Sequence, residues 1–145
     1  TTDRVSSLLA REDQFGLTPP ETYTAFQSRA DRVKDDLLSF LIDQKRAGRR
    51  VAAYGAAAKG NTLLNYAGVR PDLLPYVCDA ARSKQGRFMP GSHIPIRPPE
   101  ALRENPPDDV IILPWNISHE VRAELADLVH SGTRFVTAVP ELSFR

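Results

Sequence analysis

The residues best suited to chemistry lie in one stretch: Gly55, Ala56, Lys59, Gly60 and Asn61, inside the run VAAYGAAAKGNTLLNY from Val51 to Tyr66. The chemistry is anion binding. Val51 to Tyr54 read as a buried strand, Gly55 through Gly60 as a turn, and Thr62, Leu63, Leu64 and Tyr66 as the start of a helix. A helix that begins there offers unpaired backbone N–H groups and about half a positive charge, and glycines let an anion approach those amides. The stretch is not an ATPase loop, because Lys59 precedes Gly60 and Asn61 follows it, where a Walker A motif needs lysine after the second glycine. It also departs from the dinucleotide pattern G-x-G-x-x-G, with Ala57 at the middle glycine. One further dinucleotide feature is present: YVCD, Tyr76 to Asp79, reads as a second strand ending in an acid, where a ribose hydroxyl is usually held.

Two more groups of residues follow the predicted strands. After Asp79 the chain reads DAARSKQGRFMPGSHIPI, in which Arg82, Lys84 and Arg87 can pair with a diphosphate and His93 lies near them; the alternative is ordinary solvated loop charge. Trp115 can stack on a base or sugar while Asn116 bonds it, or Trp115 can serve as a core lid. Catalytic constellations are sparse. His93, His119 and His130 show no metal spacing, and no G-x-S-x-G elbow occurs. His119 and Glu120 are neighbours at a helix start, where Glu120 suits the helix dipole better than acid–base work. Cys78 sits within a predicted strand and reads as a small buried hydrophobe. Neither a catalytic set nor a metal site is assigned.

The elements that must position these groups divide at about residue 49. Residues 1–49 are expected to form a helical lead-in packing on the same domain. A first helix spans 1–14 with Val5, Leu8 and Leu9 inward, and a second starts at Thr18-Pro19-Pro20-Glu21 with Tyr23, Phe26, Ala30, Val33, Leu37 and Phe40 on one face. The alternative is that the same stripe mates with a partner domain. Residues 50–145 alternate strand and helix: strands Val51–Tyr54, Tyr76–Asp79, Val110–Pro114 and Arg134–Val139, with helices Asn61–Tyr66 and His119–His130. The fold class is therefore α/β, a Rossmann-like mononucleotide-binding unit of about four parallel strands with an N-terminal helical extension. Ligands in such sheets bind at the carboxyl ends of the strands, which gathers Gly55 to Asn61, the segment after Asp79, and Pro114 to Asn116 into one neighbourhood.

Composition narrows the class further. At 145 residues and 41% hydrophobic content the chain can bury one core, and its net charge of +1 supplies no field for nucleic acid or an anionic membrane. No apolar run reaches membrane-spanning length, no signal peptide opens the chain, and the single cysteine suits a reducing cytoplasm.

YGAAAKGNTLLNY, YVCD with SKQGRFMPGSHIPI, DDVIILPWN, the lead-in AFQSRADRVKDDLLSFL and the closing FVTAVPEL together resemble the C-terminal domain of the sugar C-methyltransferases. Those enzymes act on nucleotide-linked keto-deoxysugars in antibiotic sugar pathways. In the full-length family a zinc-binding part and an S-adenosylmethionine domain precede this domain. The resemblance implies that this chain alone binds no cofactor and meets a thymidine-diphosphate-type keto-deoxysugar. It further implies that the chain either is an excised or separately encoded domain or works with a SAM-binding domain or subunit as partner. It implies Gly55 to Asn61 near the diphosphate, Asp79 and the Lys84 to His93 loop close by, and Trp115-Asn116 at the pocket edge. Two rival readings are a nicotinamide-dependent oxidoreductase domain, against which Ala57 argues, and a non-catalytic scaffold or interaction module.

Overall fold

Three strands with apolar, buried centres make the middle of a sheet: β1 (Val51–Tyr54), β4 (Asp109–Ile112) and β5 (Arg134–Thr137). The computed structural model describes residues 2–145 and divides into two compact units, Thr1–Arg32 and Val33–Arg145. In the second unit the sheet has six strands in the order β3-β2-β1-β4-β5-β6, where β2 is Val77–Cys78, β3 Ile96–Arg97 and β6 Ser143–Phe144. β1 to β5 are mutually parallel, and β6 runs antiparallel to β5. The expected Rossmann-like α/β architecture is present. β3 and β6 add two strands to the four expected; each is only two residues long, too short to leave a periodic signal.

Strand alternation sends side chains to opposite faces, and both faces are covered. Val51, Ala53, Ile111, Leu113 and Val136 meet Leu37, Phe40 and Leu41 of α2 (Pro20–Arg46) and Leu63 and Leu64 of α3 (Ala58–Tyr66). Ala52, Tyr54, Cys78, Val110, Ile112 and Phe135 meet Leu102 of α4 (Glu100–Glu104), together with Val121, Leu125 and Leu128. Those last residues share a face, as their spacing predicts, but not one helix. The chain forms α5 (Ser118–Glu124) and α6 (Asp127–His130), with Leu125 between them at φ −104°, ψ 20°. β6 is tied down by its side chain: the Phe144 ring lies 5.6 Å from that of Phe40 and beneath the Arg134 guanidinium at 4.8 Å.

In the first unit, α1 (Asp3–Gln14) has no buried residue, and Val5, Leu8 and Leu9, expected inward, are 43%, 52% and 57% exposed. The α2 stripe likewise changes character along its length: Tyr23 and Phe26 are exposed, whereas Leu37, Phe40 and Leu41 are buried. α2 starts at Pro20, one residue after Pro19, the first helical position expected behind a Thr18 cap, and follows a turn held by Thr22 Oγ1 and the Tyr23 hydroxyl, which donate to the carbonyls of Gly16 and Leu17 at 2.5 Å each. Among the described residues no helix is long and apolar enough to cross a membrane.

Candidate functional site

Strand order 3-2-1-4-5-6 makes the chain leave β1 and β4 in opposite directions, opening a crevice at their carboxyl ends where ligands of doubly wound sheets bind. The turn after β1 begins at Gly55, whose φ of 95° and N–H bond to the Cys78 carbonyl at 2.7 Å swing the backbone sharply. A Cβ on Gly55 would lie 2.5 Å from Pro114 Cδ, and one on Gly60 would lie 2.6 Å from Leu113 Cβ. Both glycines thus serve close packing of the β1 turn and α3 against the end of β4.

That packing fixes the start of α3. Ala57 stands at its N-cap with no side-chain bond, and the first amide to bond back is Asn61 N–H, to the Ala57 carbonyl at 3.0 Å. The amides of the first turn lack intrahelical partners, and beside that turn lies a cavity of about 520 Å³ lined by Ala56, Ala57, Ala58, Asn61, Lys84, Arg87, Phe88, Met89, Pro90 and Ile96. Asn61 Oδ1 is buried without a hydrogen-bond partner. The helix N-terminus and two cations suit an anionic ligand, and the orphaned Asn61 oxygen, an acceptor, suits an O–H or N–H donor on the same ligand.

The loop after Asp79 builds the opposite wall. Asp79 is buried; its Oδ1 accepts the Ala81 N–H at 2.8 Å, its Oδ2 accepts Lys84 Nζ at 2.9 Å, and Gln85 Nε2 donates to its carbonyl at 2.9 Å. The carboxylate thus shapes the loop and orients Lys84. Farther on, Met89 N–H bonds Ile94 O and Ile96 N–H bonds Arg87 O, each at 2.8 Å, forming a tight excursion with exposed His93 at φ 57° near its tip. His93 does not line the cavity. Two residues that sequence reasoning missed hold this excursion to the α3 region: Asn65 Nδ2 donates to Pro90 O at 2.9 Å, and an Arg70 Nη donates to Gly91 O at 3.2 Å. Phe88, 61% exposed, was also missed; an exposed aromatic beside Arg87 was its only signal.

Lys59, Trp115 and Asn116 come together. The Lys59 ammonium lies 5.6 Å from the Trp115 ring centroid and donates to Asn116 Oδ1 at 3.0 Å. They form a polar–aromatic cluster at the β4 side of the crevice, with Trp115 packed against the core as well. Arg82 is exposed and does not line the cavity.

Among the described residues no His, Cys, Asp, Glu or Tyr lines this cavity. Burial pushes the Cys78 thiol up to about 12, so it stays protonated. Burial and the Glu124 carboxylate, which accepts the Tyr54 hydroxyl at 2.8 Å, raise Tyr54 well above the ordinary phenol value, and that pair lies on the opposite sheet face. Among the described residues no three His, Cys, Asp or Glu side chains gather as a metal site. The cavity does not fit a cationic sulfonium cofactor either: its charged lining is Lys84 and Arg87, and the acid after β2 is already doubly bonded.

The family model for the C-methyltransferase C-terminal domain matches residues 1–140. Over 137 residues the chain is 33% identical to the C-methyltransferase NovU of Streptomyces niveus, a match covering 94% of this chain and 33% of that protein.

Proposed function

The chain belongs to the C-methyltransferase C-terminal domain family, and from that premise we propose that it holds the nucleotide end of a sugar substrate for a SAM-dependent C-methyltransferase. The substrate is a thymidine-diphosphate-type keto-deoxysugar. The observation that supports this reading is the cavity of about 520 Å³ between the β1 turn and the loop after β2, lined by Ala57 and Ala58 at the start of α3 and by Lys84 and Arg87. Two cations and a helix N-terminus suit a diphosphate, and Phe88 on the cavity wall suits the flat base or sugar ring, with the Lys59, Trp115 and Asn116 cluster lying outside that lining.

Carbon methylation beside a ketone needs removal of an adjacent proton and attack of the resulting enolate on an activated methyl group. This chain's part is positioning. Clamping the diphosphate turns methyl transfer into an oriented encounter, which lowers a barrier by about 7 kcal/mol in favourable cases. The matched segment is a third of its relative's length, so the methyl donor, any zinc and the groups that move protons are assigned to a further domain or subunit. A cytoplasmic setting, as in antibiotic sugar biosynthesis, suits the single buried thiol.

The test is an amide NMR titration with thymidine diphosphate, with S-adenosylmethionine and NAD in parallel. Shifts at Gly55 to Asn61 and Lys84 to Met89, produced by thymidine diphosphate alone, are expected. Arg87→Ala weakens that binding about tenfold, the worth of one charge-assisted contact. Arg87 is the better probe because Lys84 also braces Asp79. No shift with thymidine diphosphate, or an equal response to NAD, removes the reading.

A further inference from the structure

At the other end of the sheet, the chain entering β1, β2 and β4 encloses a separate cavity of about 440 Å³. Its charged lining is Lys45, Arg49, Arg50 and Arg97 against a single carboxylate, Asp72. Asp72 is spoken for by Lys45 at 3.1 Å, and Arg49 leans on the buried Asp109 at 3.5 Å. Arg50 gives its guanidinium to two neutral acceptors, Asn105 Oδ1 and the Pro106 carbonyl. Arg97 has no carboxylate within ion-pair distance among the described residues; its guanidinium lies 4.7 Å from the centroid of the Tyr76 ring. Val51, Leu73, Pro75 and Tyr76 supply an apolar wall beneath these cations.

We infer that this amino-end cavity is a second ligand site, for a phosphate monoester carried on a flat ring, the class to which nucleoside monophosphates belong. The volume lies within the range of small-molecule sites, about 300–1,000 Å³. An apolar wall beside stacked Tyr76 and Arg97 accommodates a ring, and the cation excess matches a dianionic phosphate better than a singly charged carboxylate. The site shares no lining residue with the 520 Å³ cavity beside α3, so it does not depend on the reading above.

Adenosine monophosphate is the probe, followed by amide NMR on the whole chain, with adenosine and inorganic phosphate as separate arms. Shifts are expected at Gly48 to Val51, Leu73 to Tyr76 and Arg97, with either half-ligand binding at least about tenfold more weakly. Arg97→Gln and, independently, Lys45→Gln are expected to weaken the monophosphate about tenfold while the unperturbed remainder of the spectrum reports an intact fold. Unmoved amides at this end, or unchanged affinity in both variants, overturns the site. Response confined to Gly55 to Asn61 also overturns it, while leaving the crevice reading standing. Inorganic phosphate binding as tightly as the monophosphate overturns the ring component.

Discussion

Gly60 has no room for a methyl group, and that decides how the α3 start responds to substitution. Alanine gains up to about 1 kcal/mol in a helix interior. Against this, its Cβ would stand 2.6 Å from Leu113 Cβ and 2.9 Å from Cδ1, overpacking that costs about 1–3 kcal/mol. Gly60→Ala is therefore expected to lower the urea midpoint, by the equivalent of about 1 kcal/mol; a raised midpoint contradicts the packing role. Cys78 gives a second residue-level test. With its thiol pushed from an ordinary 9.0 to about 12, the folded protein should react with iodoacetamide at pH 8 far more slowly than the protein in urea. Because the folded state holds this proton more tightly, the associated stability is complete below pH 9.0 and is lost as pH rises toward about 12. A denaturation series across that window should show a falling midpoint, to which Tyr54 and Tyr76, also raised by burial, add in the same direction.

Between strands, the decisive contact is a buried carboxylate. Asp109 opens β4, is fully buried, and accepts Arg134 Nε at 2.7 Å from the residue directly opposite it on β5. Its other oxygen has no hydrogen bond, only Arg49 at 3.5 Å. Removing one member of a buried pair costs about 3–5 kcal/mol, less when the partner guanidinium can turn to water, as Arg134 and Arg49 can. Asp109→Ala should cost about 2–3 kcal/mol in chemical denaturation, and a loss under 0.5 kcal/mol would deny the latch any structural weight. This contact was invisible in the sequence, where Asp108 and Asp109 read as loop residues before a strand beginning at Val110. The central strands were legible because consecutive apolar residues betray burial on both sides. β3, α4 and the break between α5 and α6 were not, being set by contacts rather than by period. Within the crevice, sequence spacing located the β1 turn, the loop after Asp79 and Trp115-Asn116. It missed that Asp79 bonds its own loop, and that Asn65 and Arg70 tether the Met89 to Ile94 excursion, because both depend on side chains meeting across distant segments.

At the scale of the molecule, the two compact units differ in how they are held. α1 buries nothing, and burial along α2 begins in earnest only at Leu37. Deleting residues 1–32 is thus expected to leave a cooperatively unfolding 33–145 fragment with its midpoint little changed, since its sheet and both covered faces lie within that span. Collapse of cooperativity on deletion would show instead that the helical lead-in is part of the core. The two-residue outer strands carry a different consequence. A long open rim of unpaired peptide groups invites another chain to lengthen the sheet. Here one rim is Ile96–Arg97, bracketed by Pro95, Pro98 and Pro99, which have no N–H to donate; the other is Ser143–Phe144, turned against the direction of its neighbours. Neither border offers a template long enough to recruit a stray strand, so the parallel sheet is protected from growing sideways into fibres.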